Sequence, residues 1–181
     1  MHSVIALGMN DTKETSLWDT WKIPVIVATV ALMVRFLVIW VYPDAYQFDA
    51  YQRWAGRDHL YIQVWLPATQ LIVWTVGKLG GTPLMLRCVF SVFGAITIAM
   101  IAPMAVVLSE SLLDDGSNRV AWAALPLAFF GPYIVWSTVP YQESTLLFCL
   151  LLGLLTSKKN PILRNLAIGA LALVRSAGWP L

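Results

Sequence analysis

From Ile23 to Val41 the chain is a continuous apolar run broken only by Arg35, and this run is long enough to cross the ~30 Å hydrocarbon core of a bilayer. A stretch of that length has few folding choices, because in lipid each backbone polar group must find its partner within the chain, which selects a helix. Leu84 to Ser109 repeats the pattern, with Arg87 at its start and Pro103 as the expected site of a kink. Composition agrees: 59% of residues are hydrophobic and 12% charged, against about 25% charged in an ordinary soluble domain. The sequence is therefore expected to be an all-α, polytopic membrane protein.

Three further apolar segments follow. Val120 to Val139 contains Pro126 and Gly131-Pro132, so its helix is expected to bend or to end near Tyr133 to Trp136. Residues 141–156 open on Tyr141-Gln142-Glu143-Ser144, and 162–178 close on Arg175-Ser176-Ala177-Gly178. With 23–41, 84–109 and 120–139 these make about five expected spans. Residues 61–79 differ. Gln63, Gln70 and Lys78 recur near helical spacing beside Trp65 and Trp74, which suits an interfacial or re-entrant helix as well as a crossing one. Residues 1–22 form a polar tail without the basic and short apolar regions of a cleaved signal peptide, so the first span is expected to remain as an anchor. Trp179-Pro180-Leu181 directly after a span reads as a truncation of a longer chain.

Net charge is +2, from 12 basic and 10 acidic residues. So balanced a charge gives no footprint for nucleic acid. Cys88 and Cys149 both sit in apolar segments, where a thiol packs as a small hydrophobe. No spacing of His, Cys and acidic residues matches a metal site, and a divalent cation is left open.

The polar residues concentrate in 42–60, read as an active-site loop that includes Asp44, Asp49 and the pair Asp58-His59. If residues 61–79 cross, Glu143 and Arg175 lie on the opposite side from these aspartates. If they turn back, Glu143, Arg87 and Arg175 join the aspartates at one membrane face. The second arrangement is preferred slightly by the positive-inside rule, and more by the tendency of charged groups in membranes to pair or to line a shared cavity.

Three stretches, in this order, carry a family resemblance. Phe48-Asp49-Ala50-Tyr51, followed by Ala55-Gly56 and Trp65-Leu66-Pro67, is similar to the aromatic-Asp loop and the downstream aromatic-Pro element of the GT-C glycosyltransferases, in particular the glycosylphosphatidylinositol mannosyltransferase II branch. Tyr141-Gln142-Glu143-Ser144 through Phe148 resembles that branch's Tyr-Ser-Glu-Ser-Leu-Phe, and Arg175-Ser176-Ala177-Gly178 resembles its Arg-Ser-Asn-Gly. Phe48, Gln142 and Ala177 stand where the branch has Trp, Ser and Asn.

The resemblance implies a membrane glycosyltransferase, mannosyltransferase-like, that moves a sugar from a polyprenyl-phosphate donor to a hydroxyl acceptor. It implies Asp49 as general base, with Asp44 second. A carboxylate ionised near neutral pH can accept the hydroxyl proton as the new C–O bond forms. Arg175 and Arg87 are candidates to hold the leaving phosphate, and Glu143 and Tyr141 to contact the sugar or to orient an arginine. The expected partners are membrane lipid, the lipid-linked sugar and a subunit supplying further helices. The expected location is a prokaryotic plasma membrane in preference to endoplasmic reticulum. Other readings are a non-catalytic membrane module, a transporter fragment, or a truncated relative that binds lipid phosphate without turnover. Intramembrane Arg35 and the proline-broken helices are compatible with these.

Overall fold

A computed structural model describes residues 17–45, 48–60, 67–113, 118–156 and 160–174, and every regular element among them is a helix. In chain order these are α1 (Leu17–Val41), α2 (Phe48–Ala55), α3 (Pro67–Lys78), α4 (Pro83–Leu113), a 3₁₀ helix (Asn118–Phe129), α5 (Gly131–Trp136), α6 (Gln142–Thr156) and α7 (Pro161–Val174).

Two of these are long and apolar enough to cross a membrane, over Trp21–Val41 and Pro83–Glu110. Only 28% and 33% of their most apolar windows are buried inside the fold, so most of each window faces outward. Their outer faces, with Met33, Phe36, Leu37 and Trp40 on α1 and Val92, Ile96, Val107 and Leu108 on α4, are exposed. The remaining helices are shorter, and length alone does not make them spans.

Several expected boundaries shift. Helix α1 begins within the segment read as a polar tail, and α4 continues through Pro103 to Leu113 as one helix. The segment read as loop 42–60 contains α2, which corrects that reading: residues 48–55 are helical. Residues 120–139 hold two elements, separated at Phe130, and Gly131-Pro132 starts α5 with proline in its first turn. Proline suits that position because the first helical N–H groups have no partner within the helix.

Helices α1 and α4 run antiparallel, since Arg87 near the start of α4 donates hydrogen bonds to the carbonyls of Tyr42 and Pro43 just beyond the end of α1. Small side chains let them approach. One core cluster is built of Val27 and Ala31 from α1, Ala95, Ile98 and Ala102 from α4, and Ala121, Ala124 and Ala128 from the 3₁₀ helix. Alanine at such contacts brings helix backbones close, as in packed membrane helices. Phe93 of α4 and Phe148 of α6 meet edge to face at 5.1 Å. Each lies six residues beyond a position at one end of the bundle (Arg87 and Gln142), so α4 and α6 lie side by side and parallel.

Helix α3 has 12 residues, a length of about 18 Å at 1.5 Å per residue, well short of the ~30 Å core. It folds against α2. Gln70 Nε2 is shared among the carbonyls of Arg53, Gly56 and His59 at 3.1 to 3.3 Å, and Lys78 Nζ lies 3.5 Å from Asp58. A second core cluster, Val73 and Val76 with Leu86 and Phe90, seats α3 on the first turns of α4, with Trp54 of α2 packed against it.

Candidate functional site at the α1–α4 turn

Because α1 ends where α4 begins, the whole segment between them departs from and returns to one end of the bundle. Arg87 organises that end. Its side chain is 1% exposed, and besides the two carbonyls beyond α1, at 2.5 and 2.6 Å, it donates from Nε to Thr138 O at 3.1 Å. Thr138 closes the turn after α5, so one guanidinium ties together α1, α4 and the α5–α6 connection. Planar arginine, with five donors in a fixed fork, is suited to donating to several carbonyls at once.

Thr138 in turn locates two further candidates. Tyr141 lies three residues on and Glu143 five, so their backbones lie within about 11 and 18 Å of it even if the chain is fully extended. Ser144 Oγ donates to Tyr141 O at 3.2 Å in the first turn of α6. The bundle end thus gathers Asp44, Arg87, Tyr141 and Glu143, with Asp49 as the second residue of α2. The side-chain placement of Asp49 lies outside what is described, as do Arg175 and the residues 46–47, 61–66 and 157–159.

Two clefts open at this end. The larger, about 790 Å³, is lined by Pro43, Asp44, Tyr51, Trp54, Arg57 and the start of α4. The smaller, about 370 Å³, is mostly apolar and is bounded by Val38, Tyr42, Ala45, Ile134 and Val135, with Arg87 at its edge. The turn Tyr42–Ala45, closed by an Ala45 N–H to Tyr42 O bond of 3.3 Å, is the wall between them. Pro43 and Asp44 face one side of it, Tyr42 and Ala45 the other.

Arg57 is a cleft residue that the sequence reading did not single out. Its guanidinium stacks over the Trp54 ring at 5.0 Å and donates to Trp54 O at 3.3 Å. Gly77 of α3 makes room for it: a Cβ there would come within 3.2 to 3.3 Å of the Arg57 side chain. The signal was present in the spacing. Ala50, Arg53, Trp54 and Arg57 recur at i, i+3, i+4 and i+7 and are the inward positions of the segment, whereas Tyr51, Gln52 and Ala55 are exposed. Among the described residues Asp44 and Arg57 line one cleft without forming an ion pair, which leaves an exposed carboxylate and a guanidinium for a ligand.

Arg35, deeper in α1, is fully buried. It donates from Nε to Ser137 Oγ and from Nη1 to Ala31 O, each at 2.8 Å, and its guanidinium lies 5.3 Å from the Tyr133 ring centre. It lines neither cleft and acts in packing. Among the described residues no three His, Cys, Asp or Glu side chains converge, so no metal is given a place here. Comparison with known proteins finds no matching family model, no matching curated protein and no matching solved structure.

Proposed function

We propose that this chain is the site-bearing part of a multi-pass membrane glycosyltransferase of GT-C type, which transfers a sugar, mannose or a close relative, from a polyprenyl-phosphate donor to a hydroxyl acceptor. One observation supports the reading most: the cleft that holds Asp44 and Arg57 adjoins α2, which carries Asp49, at the same bundle end as Arg87, Tyr141 and Glu143. In this reading Asp49 takes the acceptor proton, Asp44 is the second carboxylate of the site, and a guanidinium meets the charge that grows on the departing phosphate. Arg57 is better placed for that last role than Arg87, whose Nε and Nη1 are already engaged with three main-chain carbonyls.

The 3₁₀ helix with α5, and then α6 and α7, would cross together with their flanking residues, giving five spans with α2 and α3 lying at the interface. The amphipathic α2 and the exposed Trp40, Tyr42 and Tyr51 suit the aromatic-rich boundary of a membrane. A prokaryotic plasma membrane, a lipid-linked sugar and a partner subunit belong to the same proposal. The placement of Arg57 in the larger cleft is also compatible with one alternative, a relative that binds lipid phosphate without turnover.

The test is sugar transfer in membranes that contain the full chain, using radiolabelled polyprenyl-phosphate mannose. Asp49→Asn is expected to insert normally and to lower transfer by roughly 10²-fold or more, the scale of a lost general base. Turnover close to wild type in that variant removes Asp49 from the role. Retained donor binding with no transfer in the wild type selects the non-catalytic alternative.

A further inference from the structure

We infer that Arg87 is a positioning residue: it fixes the Tyr42–Ala45 turn and thereby holds the Asp44 carboxylate in the larger cleft. Its first residue is tied to α1 by the Tyr42 N–H to Val38 O bond of 2.9 Å, and beyond that residue the turn has little else to hold it. Tyr42, Pro43, Asp44 and Ala45 are all exposed, and the bond that closes it is a long 3.3 Å. Exposed four-residue turns are ordinarily the mobile parts of a fold. Here two consecutive carbonyls, Tyr42 O and Pro43 O, converge on the single Nη1 of a buried arginine at 2.5 and 2.6 Å. That arginine is anchored from behind by Thr138 O.

The geometry has a directional consequence. Asp44 follows the second clamped carbonyl directly, so fixing Tyr42 and Pro43 sets the direction in which the chain presents Asp44. The same turn divides the clefts, with Tyr42 facing the smaller one and Asp44 the larger. Rotation of the turn would move both together. Lysine cannot fully replace arginine in this role, since its single ammonium cannot hold the two carbonyls beyond α1 and also reach Thr138 O, which arginine meets from a second nitrogen. A phosphate-binding Arg87 would behave differently, because lysine retains the charge that such a site needs.

That Asp44 works in catalysis rests on the function proposed above, whereas the clamp on the turn does not. The experiment therefore has two arms. In hydrogen–deuterium exchange on the full chain in nanodiscs, Arg87→Met, which removes every donor to the turn, is expected to speed exchange in the peptide covering residues 42–45 by roughly tenfold or more, the scale of losing charge-assisted hydrogen bonds. The peptide covering α6 should be unchanged, which shows that the variant is folded. Unchanged exchange at 42–45 overturns the clamp.

In transfer assays Arg87→Lys is expected to lower kcat and leave the donor KM near wild type. In the double variant with Asp44→Asn the two losses should not add, since both act through one carboxylate. A raised donor KM with kcat retained, or an Arg87→Lys loss that persists in full in the Asp44→Asn background, overturns the positioning role. If the wild-type chain transfers no sugar, the function reading falls, and the exchange arm alone upholds or overturns the clamp.

Discussion

Arg35 on α1 and Ser137 beyond α5, 102 residues apart in sequence, meet inside the helical core through an Nε to Oγ hydrogen bond of 2.8 Å. Gly94 on α4 is what admits the contact. A Cβ at that position would overlap the Ser137 side chain and fall 2.9 Å from Arg35 Nε. One missing side chain therefore lets α1, α4 and the end of α5 share a single polar junction in an otherwise apolar interior.

Gly94→Ala should be destabilising despite the better helix propensity of alanine, by about 1–3 kcal/mol, the usual cost of overpacking. The matched control is Gly169→Ala on α7, where a Cβ meets open space and the propensity gain of up to about 1 kcal/mol should appear unopposed. Thermal unfolding in detergent checks both. Equal effects at the two glycines would show that the junction is not tightly packed.

Arg35→Met should be tolerated by the fold. Arg35 Nη2 is buried without a hydrogen-bond partner, and Ser137 Oγ has a second bond of its own, to Tyr133 O at 2.6 Å. Removing the guanidinium thus strands no buried donor, and replacing a buried charge by an apolar side chain of similar volume is often neutral or stabilising. The expected change in unfolding free energy is within about 1 kcal/mol of zero or stabilising. A loss of several kcal/mol would mean that the cation holds α5 more strongly than its contacts imply.

Gln70 closes the C-terminal end of α2, where carbonyls have no partner within the helix. Gln70→Ala should cost about 1–3 kcal/mol locally. Gln70→Glu should be worse, because it sets a carboxylate against the carbonyl oxygens of Arg53, Gly56 and His59. Limited proteolysis in the 56–60 segment reads this directly, and faster cleavage in the Ala variant than in the Glu variant would contradict the assignment.

Asp58→Asn should change stability by less than about 1 kcal/mol, since Lys78 and Asp58 are 51% and 64% exposed and solvent screens the pair. Chemical denaturation of the variant beside the wild type checks it. A larger loss would make the pair a genuine brace between α2 and α3.

The long helices were legible because runs such as Ile23–Val41 and Leu84–Ser109 leave one viable backbone, and an interruption of 120–139 was legible from its prolines, although it was expected as a bend or end near Tyr133 to Trp136 and falls at Phe130. Helix α2 was not. At eight residues it is shorter than the ~12–15 that sustain an isolated helix in water, so its conformation depends on docking against α3 through Gln70. The roles of Arg35 and Arg87 were also hidden. Their partners, Ser137 and Thr138, are brought to them only by the return of the chain through the 3₁₀ helix and α5. Aspartates beyond the first span could be picked out in the sequence as chemical candidates, but the cleft that Asp44 shares with Arg57 depends on how α2 folds back.

The central claim is that α3 returns to the end of the bundle it came from, which places Asp44, α2, Arg87 and Glu143 at one membrane face. Single cysteines replacing His59, Leu79 and Leu112, all exposed, in a chain lacking Cys88 and Cys149, would be labelled with an impermeant thiol reagent in sealed vesicles of known orientation. The account predicts that the positions flanking α3, 59 and 79, label from the same side and position 112, at the far end of α4, from the other. Labelling of 59 and 79 from opposite sides would contradict it, dividing the aspartates from Arg87 and Glu143 across the bilayer.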